Sequence, residues 1–222
     1  MQNAILPPDG GAGPDDVAGR VAGQALAKRR AAYETEVRRL LDAALRVMRR
    51  CGTTARPRVA DIVAAAGLSN DAFYRHFPSK DALVEALLED GAARLVSYLR
   101  HQMGKADTPE GRLRRFVEGV LSQAEGETAE TTLAVLWNGG SVGRGPGAGN
   151  HFAAASLAAL VREPLAELGS PDPELDAALT AHATLGRLTE LLWQRARPAP
   201  GEADRIVAFL VGAASTRAEA PI

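Results

Sequence analysis

The chain has 222 residues and a formal net charge of −1, a length that suits one small and one medium domain. Its single cysteine, Cys51, excludes an intrachain disulfide and a multi-cysteine metal site. The sequence has no signal-peptide pattern and no apolar run long enough to span a membrane. We therefore expect a cytoplasmic protein with no membrane partner.

The charge is unevenly distributed along the chain. Residues 28–80 contain 12 Lys and Arg and 5 Asp and Glu, a net of 12 − 5 = +7, so the remaining residues sum to −1 − 7 = −8. A basic segment joined to an acidic remainder is typical of local phosphate binding, in which counterion release supplies much of the affinity.

The N-terminal residues 1–27 are rich in Gly, Ala, Pro and Asp and show little periodicity, which predicts a disordered tail. The basic run 28–30 comes next and is open to two interpretations. It could form an arm along a DNA backbone or in a minor groove, or it could be solvated charge at a helix start. A helix with one apolar stripe is predicted from about Ala31 to Arg50.

The segment 59–81 predicts two short helices joined by a tight turn. Apolar residues recur at helical spacing from Val59 to Ala66, and Gly67 can close that helix with a left-handed residue. Ser69 is a suitable N-cap for a second helix. Pro78 disfavours helical backbone at the residue before it and so ends the second helix. This order of elements is the helix-turn-helix pattern, whose second helix enters the major groove of DNA.

The second helix has an inward and an outward side. Phe73 and Phe77 are spaced i, i+4 and should pack inward. Ser79 caps a third helix, whose N-terminal amides together with Lys80 form an anion site. Nine residues are predicted to form the DNA surface, namely Arg58, Ser69, Asn70, Asp71, Ala72, Tyr74, Arg75, His76 and Lys80. We expect Tyr74, His76 and Lys80 to contact phosphates, and Asn70, Asp71 and Arg75 to contact bases.

The run Gly67-Leu68-Ser69, together with the later run Phe73-Tyr-Arg-His-Phe-Pro-Ser-Lys-Asp-Ala-Leu83, resembles the DNA-binding domain of the TetR family of bacterial repressors. The resemblance covers roughly residues 30–100. It implies an all-α homodimer that binds a palindromic operator in double-stranded DNA and releases it when a small molecule binds. The remainder of the chain is similar to the family only in length and helical character.

Two positions depart from that family pattern. Many members have Gly-Thr where this chain has Asp71-Ala72, so the DNA contact that the Thr often makes is not available here. Asp71 could accept a hydrogen bond from a cytosine amino group, or it could favour the helix N-terminus electrostatically. Ala72 could touch a thymine methyl group. Arg58, in a loop where the family commonly has Thr or Ser, could reach a phosphate or a base edge.

From Thr108 onward the pattern stays helical, and it predicts a ligand-binding and dimerisation domain. The large or polar-tipped residues that could line a pocket for a small hydrophobic effector are Phe116, Trp137, Phe152, His182 and Trp193, although each also suits a core or dimer position. Apolar residues of the last two helices could form a four-helix dimer seam, namely Leu175, Leu179, Ala183, Leu191, Leu192, Ile206, Phe209 and Leu210.

One rival pattern occurs, Gly139-Gly-Ser141-Val-Gly143, which matches the nucleophile elbow of hydrolases. The elbow needs a strand before the serine and a helix after it, and the glycine-rich residues after Gly143 are a poor helix start. We therefore predict no catalytic residues, no cofactor and no metal site, and the alternative is a helical enzyme or interaction module that reuses the fold. The predicted organisation is all-α, with a tail (1–27), a helix-turn-helix DNA-binding domain (28–78) and a helical domain (79–222) that helix 79–102 links to it.

Overall fold

The computed structural model describes residues 17–139 and 148–216, and at 139, 148–152 and 213–216 it describes the backbone alone. Within those ranges the backbone forms α-helices and one short 3₁₀ helix, Ser122–Ala124, and no strand. The α-helices are α1 (Val17–Cys51), α2 (Val59–Ala66), α3 (Asn70–His76), α4 (Lys80–Met103), α5 (Pro109–Leu121), α6 (Gly126–Gly139), α7 (Ala148–Glu167), α8 (Pro173–Gln194) and α9 (Glu202–Thr216). The predicted all-α fold class is confirmed.

Short polar side chains start four of these helices. Ser69, Ser79, Thr108 and Asp172 each accept, through a side-chain oxygen, the backbone N–H of the residue three positions later, at 3.1 Å in every case. These bonds satisfy donors that the helix itself leaves unpaired. The first three caps are recognisable in the sequence, and the predicted starts of their helices are confirmed to within a few residues.

The first helix is longer than predicted. α1 begins at Val17, so the prediction of a disordered tail is wrong for residues 17–27, while residues 1–16 lie outside the described residues. The sequence did not predict a helix over residues 17–27 because Gly19 and Gly23 have low helical propensity. Extending an existing helix costs far less than nucleating one, so the alanine-rich stretch before Lys28 continues the helix backwards from its packed part.

Two clusters of buried apolar side chains hold the described helices together. The first joins α1, α2, α3 and the start of α4, and its fully buried members include Leu40, Met48, Ile62, Phe73 and Leu83. The turn between α2 and α3 also contributes a half-buried leucine, Leu68, as its apolar character predicts. Ala134 and Val135 of α6 belong to this cluster too, a contact for which the sequence carries no signal.

The second cluster lies among α4, α5, α7, α8 and α9 and includes Phe116, Leu157, Val161 and Leu165. No described helix combines the length and the apolar character that crossing a membrane would need. The predicted dimer seam needs correction, because three of its leucines face this core. Their exposures are 1% for Leu191, 3% for Leu192 and 8% for Leu210, so they stabilise the protomer and cannot reach a partner.

Candidate nucleic-acid interface

Arginine side chains of α1 hold the turn between α2 and α3 through hydrogen bonds. Gly67 adopts the left-handed conformation (φ 64°, ψ 39°), as the sequence predicts. The guanidinium of Arg39 donates to the carbonyl oxygens of Ala66 at 2.6 Å and of Gly67 at 3.2 Å. Arg46 donates to the carbonyl of Ala65 at 3.4 Å. Cations are favourable at the C-terminal end of a helix, so these two exposed arginines of α1 stabilise the end of α2 and the turn.

The short helix α3 presents one polar face to solvent. Asn70, Asp71 and Arg75 are exposed, and Tyr74 is 58% exposed. Phe73 and Phe77 lie in the core, at 0% and 8% exposure, as predicted. The helix is thus fixed by its aromatic side and leaves donors and acceptors on the other side available to a partner.

Ala72 lies on the inner side of α3. It is only 5% exposed and belongs to the buried apolar set. A contact between its methyl group and a thymine methyl group would require α3 to detach from the core. We therefore remove Ala72 from the candidate surface, and the physical reason is its helical phase, which places it on the core side of the helix with Phe73.

The side chain of His76 is also turned inward. It is 0% exposed, and its Nε2 lies 2.7 Å from the carboxylate of Glu36 on α1. Its ring stands edge-on to that of Tyr33, with the ring centroids 4.2 Å apart. Nδ1 has no hydrogen-bond partner among the described residues. The expected contact between His76 and a phosphate does not fit this placement, and we assign the residue a positioning role.

Glu36 was not predicted as a functional residue. Its carboxylate forms a hydrogen bond with His76 and accepts another from the guanidinium of Arg75, at 3.2 Å. The pKa of Glu36 is lowered from its ordinary value, chiefly by the hydrogen bond with His76, while desolvation opposes the shift and Arg75 supports it. The sequence carried only a weak sign of this role, namely that Glu36 is an acidic residue within a strongly basic segment.

A second group of polar atoms lies where α2 and α4 begin. The backbone N–H of Arg58 donates to the carboxylate of Asp61 at 2.9 Å, and Arg58 is exposed. Lys80 is half-buried, and its Nζ donates to the carbonyl oxygen of Pro57 at 3.5 Å. The fold therefore brings Lys80 to the residue before Arg58 although 22 positions separate the two cations. Helix N-termini with adjacent cations are suited to phosphate binding.

The predicted effector residues do not form one cluster. Phe116 is fully buried in the second core, and His182 is exposed with Nδ1 2.7 Å from the carbonyl oxygen of Ala178. The side chain of Phe152 lies outside the described residues. Trp137 of α6 and Trp193 of α8 do meet, with ring centroids 6.3 Å apart in an edge-to-face arrangement. Among the predicted set, these two are the residues that the structure brings together.

Two surface grooves lie away from the predicted effector residues. One, of about 540 Å³, runs between α1 and α4 and has Tyr33, Val37 and Leu41 on its apolar side. The other, of about 230 Å³, lies between the end of α5 and the connection from α8 to α9. Neither groove is lined by Phe116, Trp137, His182 or Trp193. The predicted effector residues therefore do not coincide with either groove.

The rival catalytic pattern does not gain support from its surroundings. Ser141 lies outside the described residues, but the residues before it form helix α6, where a nucleophile elbow would need a strand. In the parts of the chain that the structure describes, His, Cys, Asp and Glu side chains form no cluster of three or more that could hold a metal ion.

Comparison with known proteins shows which family this part of the chain resembles. Residues 40–87 match the family described as bacterial regulatory proteins, tetR family. This range contains the last third of α1, the whole of α2 and α3, and the start of α4. No curated protein matches the chain.

Solved structures share the fold over nearly their whole length. A TetR-family regulator from Streptomyces avermitilis MA-4680 is 25% identical, covers 81% of this chain and 98% of its own, and superposes with a TM-score of 0.64. One from Pectobacterium atrosepticum is also 25% identical, with coverages of 85% and 94% and a TM-score of 0.52. RolR, solved in complex with resorcinol, is 19% identical, with coverages of 87% and 97% and a TM-score of 0.60.

Proposed function

We propose that this chain, a DNA-binding transcriptional regulator of the TetR family, is a repressor that binds a palindromic operator as a homodimer and releases it when a small hydrophobic molecule binds. The observation that carries the proposal is the orientation of α3. Its aromatic side is anchored in the core and its polar side, with Asn70, Tyr74 and Arg75, is exposed. A helix held in this way can enter a major groove without rearrangement of the domain.

The proposed DNA surface divides into two parts. Tyr74 and Lys80 would contact phosphates, together with Arg58 and the N-terminal amides of α4, and would fix the position of the helix on the duplex. Asn70, Asp71 and Arg75 would meet base edges, and the capping hydroxyl of Ser69 lies beside them. Phosphate contacts of the first kind carry no sequence information, whereas contacts of the second kind select the operator.

Homodimerisation is supported by an exposed apolar stripe on the last two helices. Leu175 is 45% exposed, Leu179 is 50% exposed and Ala183 continues the same side of α8. Phe209 on α9 is 72% exposed. Large exposed apolar side chains at helical spacing favour a helix-helix contact with a second copy. A two-fold axis through this surface would place two copies of α3 about 34 Å apart, one turn of DNA.

The response to an effector needs a physical link between the two clusters, and three contacts are suited to it. Ala134 and Val135 of α6 pack in the N-terminal core. Arg49 of α1 forms an ion pair with Glu127 of α6. An effector bound near α6 would therefore act on α1 directly, provided that it binds the two states of the protein with different affinity.

The third contact is Arg195, which donates to the hydroxyl of Thr53 at 3.0 Å. Arg195 ends α8 in the left-handed conformation (φ 52°), which residues other than Gly adopt at a cost. It connects the end of α8 to the loop before α2. RolR, a relative in fold, was solved with resorcinol, a small aromatic diol. Trp193, two residues before Arg195, stacks edge-to-face with Trp137. This aromatic pair would suit an aromatic effector of that class.

The experiment that tests the proposal is a gel-shift titration with the DNA upstream of the chain's own gene. We expect a shift at low salt that occurs at lower protein concentration on a fragment with a palindrome than on a random duplex, and that requires two copies of the protein per palindrome. A folded protein that shifts neither this fragment nor a random duplex at about 50 mM salt would contradict it. A screen of small phenols, with resorcinol as the first probe, then tests release.

A further inference from the structure

We propose that residues 17–30, the first part of α1, form a second DNA-binding element that lies along the phosphate backbone beside the major-groove contact of α3. The proposal rests on the DNA-binding function proposed above. It extends the arm that the basic run 28–30 suggested, because the structure makes residues 17–30 part of one continuous helix with the packed portion of α1.

The segment is not buried against the rest of the described protein. All residues from Val17 to Thr35 are exposed, and the first residue of α1 that packs against the N-terminal core is Val37. Gly19 and Gly23 each cost about 1 kcal/mol relative to alanine in a helix interior. Most helical stability in proteins comes from tertiary packing, so this helix would be stabilised by a partner that covers it.

The charge of the segment indicates the partner. Arg20, Lys28, Arg29 and Arg30 are its ionisable side chains, and all four are basic. Arg30 pairs with Glu34 at 2.8 Å, and the other three form no ion pair with any described residue. An exposed helical segment with a net charge of +4 over residues 17–30 is complementary to a polyanion.

The apolar side chains of the segment do not favour a protein partner. Val17, Val21 and Leu26 are 62%, 60% and 65% exposed. At about 100° per residue, Val17 and Val21 lie within about 40° of each other around the helix, and Leu26 lies on the opposite side. A helix that packs on another protein needs a continuous apolar stripe, and these three residues do not supply one.

The position of the segment brings it next to α3. Tyr33 contacts His76 edge-on, and Glu36 binds both His76 and Arg75, so α1 is fastened to the C-terminal end of α3. From Tyr33 the helix continues backwards for about 20 Å to Arg20, at about 1.5 Å per residue. That length corresponds to about six base pairs of duplex, at about 3.4 Å per nucleotide of one strand.

The contact is to the backbone and not to the floor of a minor groove. An α-helix with its side chains is about 10–12 Å across, whereas the minor groove of B-DNA is about 6 Å wide. Long basic side chains on the helix can reach phosphate oxygens from outside the groove. The element therefore adds affinity and length of contact without adding base readout.

The test compares the full chain with a triple variant, Arg20→Ala, Lys28→Ala and Arg29→Ala, which keeps the helix because alanine is the best helix former. The matched control removes three exposed cations elsewhere, Arg100→Ala, Lys105→Ala and Arg197→Ala. Each protein is titrated by fluorescence anisotropy against the upstream palindrome and against a random duplex of equal length, from about 50 to about 300 mM salt. Hydroxyl-radical footprints are recorded on the palindrome.

We expect the triple variant to reduce the magnitude of the slope of log K against log salt by about 1 to 3 for each bound copy, since each lost phosphate contact removes about 0.9. The loss should be equal on both duplexes, the footprint should shorten by up to about six base pairs at each end, and the control should keep the wild-type slope.

Equal slopes for the variant and the wild type, or an equal fall in the control, would overturn the proposal. A changed oligomeric mass with unchanged DNA affinity would overturn it in favour of a protein partner. Failure of the wild type to bind either duplex would overturn both this proposal and the proposed function.

Discussion

The imidazole Nε2 of His76 lies 2.7 Å from the carboxylate of Glu36, and this bond fastens the C-terminal end of α3 to α1. The histidine side chain is fully buried, and the carboxylate also accepts from Arg75 on the exposed side of the same helix. One acidic side chain therefore controls the position of the helix and the direction of one of its candidate base-reading residues. We therefore expect Glu36 to affect DNA binding without touching DNA.

Replacement of Glu36 should weaken DNA binding through the position of α3. We expect Glu36→Ala to lower the thermal midpoint and the operator affinity together, because the buried imidazole of His76 loses its hydrogen-bond partner and Arg75 loses its ion pair. Glu36→Gln should restore part of both, since an amide oxygen still accepts from His76. The control is Glu34→Ala, an exposed residue that pairs with Arg30. Circular dichroism melts and gel shifts that are identical for Glu36→Ala and Glu34→Ala would refute the positioning role.

Tyr74 and Lys80 should contribute affinity without selectivity. A hydrogen bond to a charged group is worth about 1.5–3 kcal/mol, so Tyr74→Phe is expected to weaken binding by about tenfold or more. Lys80→Ala should additionally reduce the magnitude of the salt slope by about 0.9 for each bound copy. The check is a set of operator variants, each changed at one base pair. Both substitutions should reduce affinity for every variant by the same factor, and a loss confined to some of them would mean that these residues read bases.

The contact between Arg195 and Thr53 should affect the loop before α2 without lowering global stability. Arg195→Gly removes the hydrogen bond but suits the left-handed backbone, which costs a non-glycine residue about 1–2 kcal/mol. We expect the unfolding free energy to stay equal or rise, while amides of residues 52–54 exchange about 2- to 10-fold faster. Thr53→Ala should give the same faster exchange, but without any rise in the unfolding free energy. Unchanged exchange in both variants would show that the contact does not hold the loop.

Glu202 provides a prediction for pH. Its carboxylate accepts from Arg187 at 2.5 Å and from the backbone N–H of Ala199 at 2.7 Å. These two bonds, the one from Arg187 most, hold the pKa of Glu202 below its ordinary value of 4.5 although burial opposes the shift. Because the folded pKa is lowered, this stabilisation is complete above the ordinary value and disappears as the pH falls through the lowered one.

At pH 7 we therefore expect Glu202→Gln to lower the unfolding free energy by about 1.5–3 kcal/mol, the range for hydrogen bonds to charged groups. The difference from the wild type should shrink below about pH 4.5. Glu174→Gln, which removes an exposed partner of Arg162, is the matched control and should have little effect at any pH. Urea titrations between about pH 3 and pH 7 measure this directly, and a difference that does not depend on pH would contradict the assignment.

The features that the sequence predicted well are those that a single residue encodes locally. Ser69 and Thr108 marked helix starts because a cap needs only its own side chain and a nearby N–H, and Gly67 marked the turn because few residues tolerate its backbone. The inward placement of His76 depended on helical phase over a seven-residue helix, where a shift of one position changes the face. The long-range bond from Glu36 depended on a partner far away in the chain, and periodicity carries no information about it.

The central claim is that the exposed face of α3 reads an operator, and a hydroxyl-radical footprint of the wild-type chain on its own upstream DNA tests it most directly. We expect two protected regions about one helical turn apart, related by the symmetry of a palindrome. At a protein concentration just sufficient to protect the wild-type site, Tyr74→Ala should leave both regions largely unprotected, while Glu34→Ala keeps the protection. A folded wild-type dimer that protects no part of that DNA at low salt, or a Tyr74→Ala protein that leaves the same footprint, would contradict the claim.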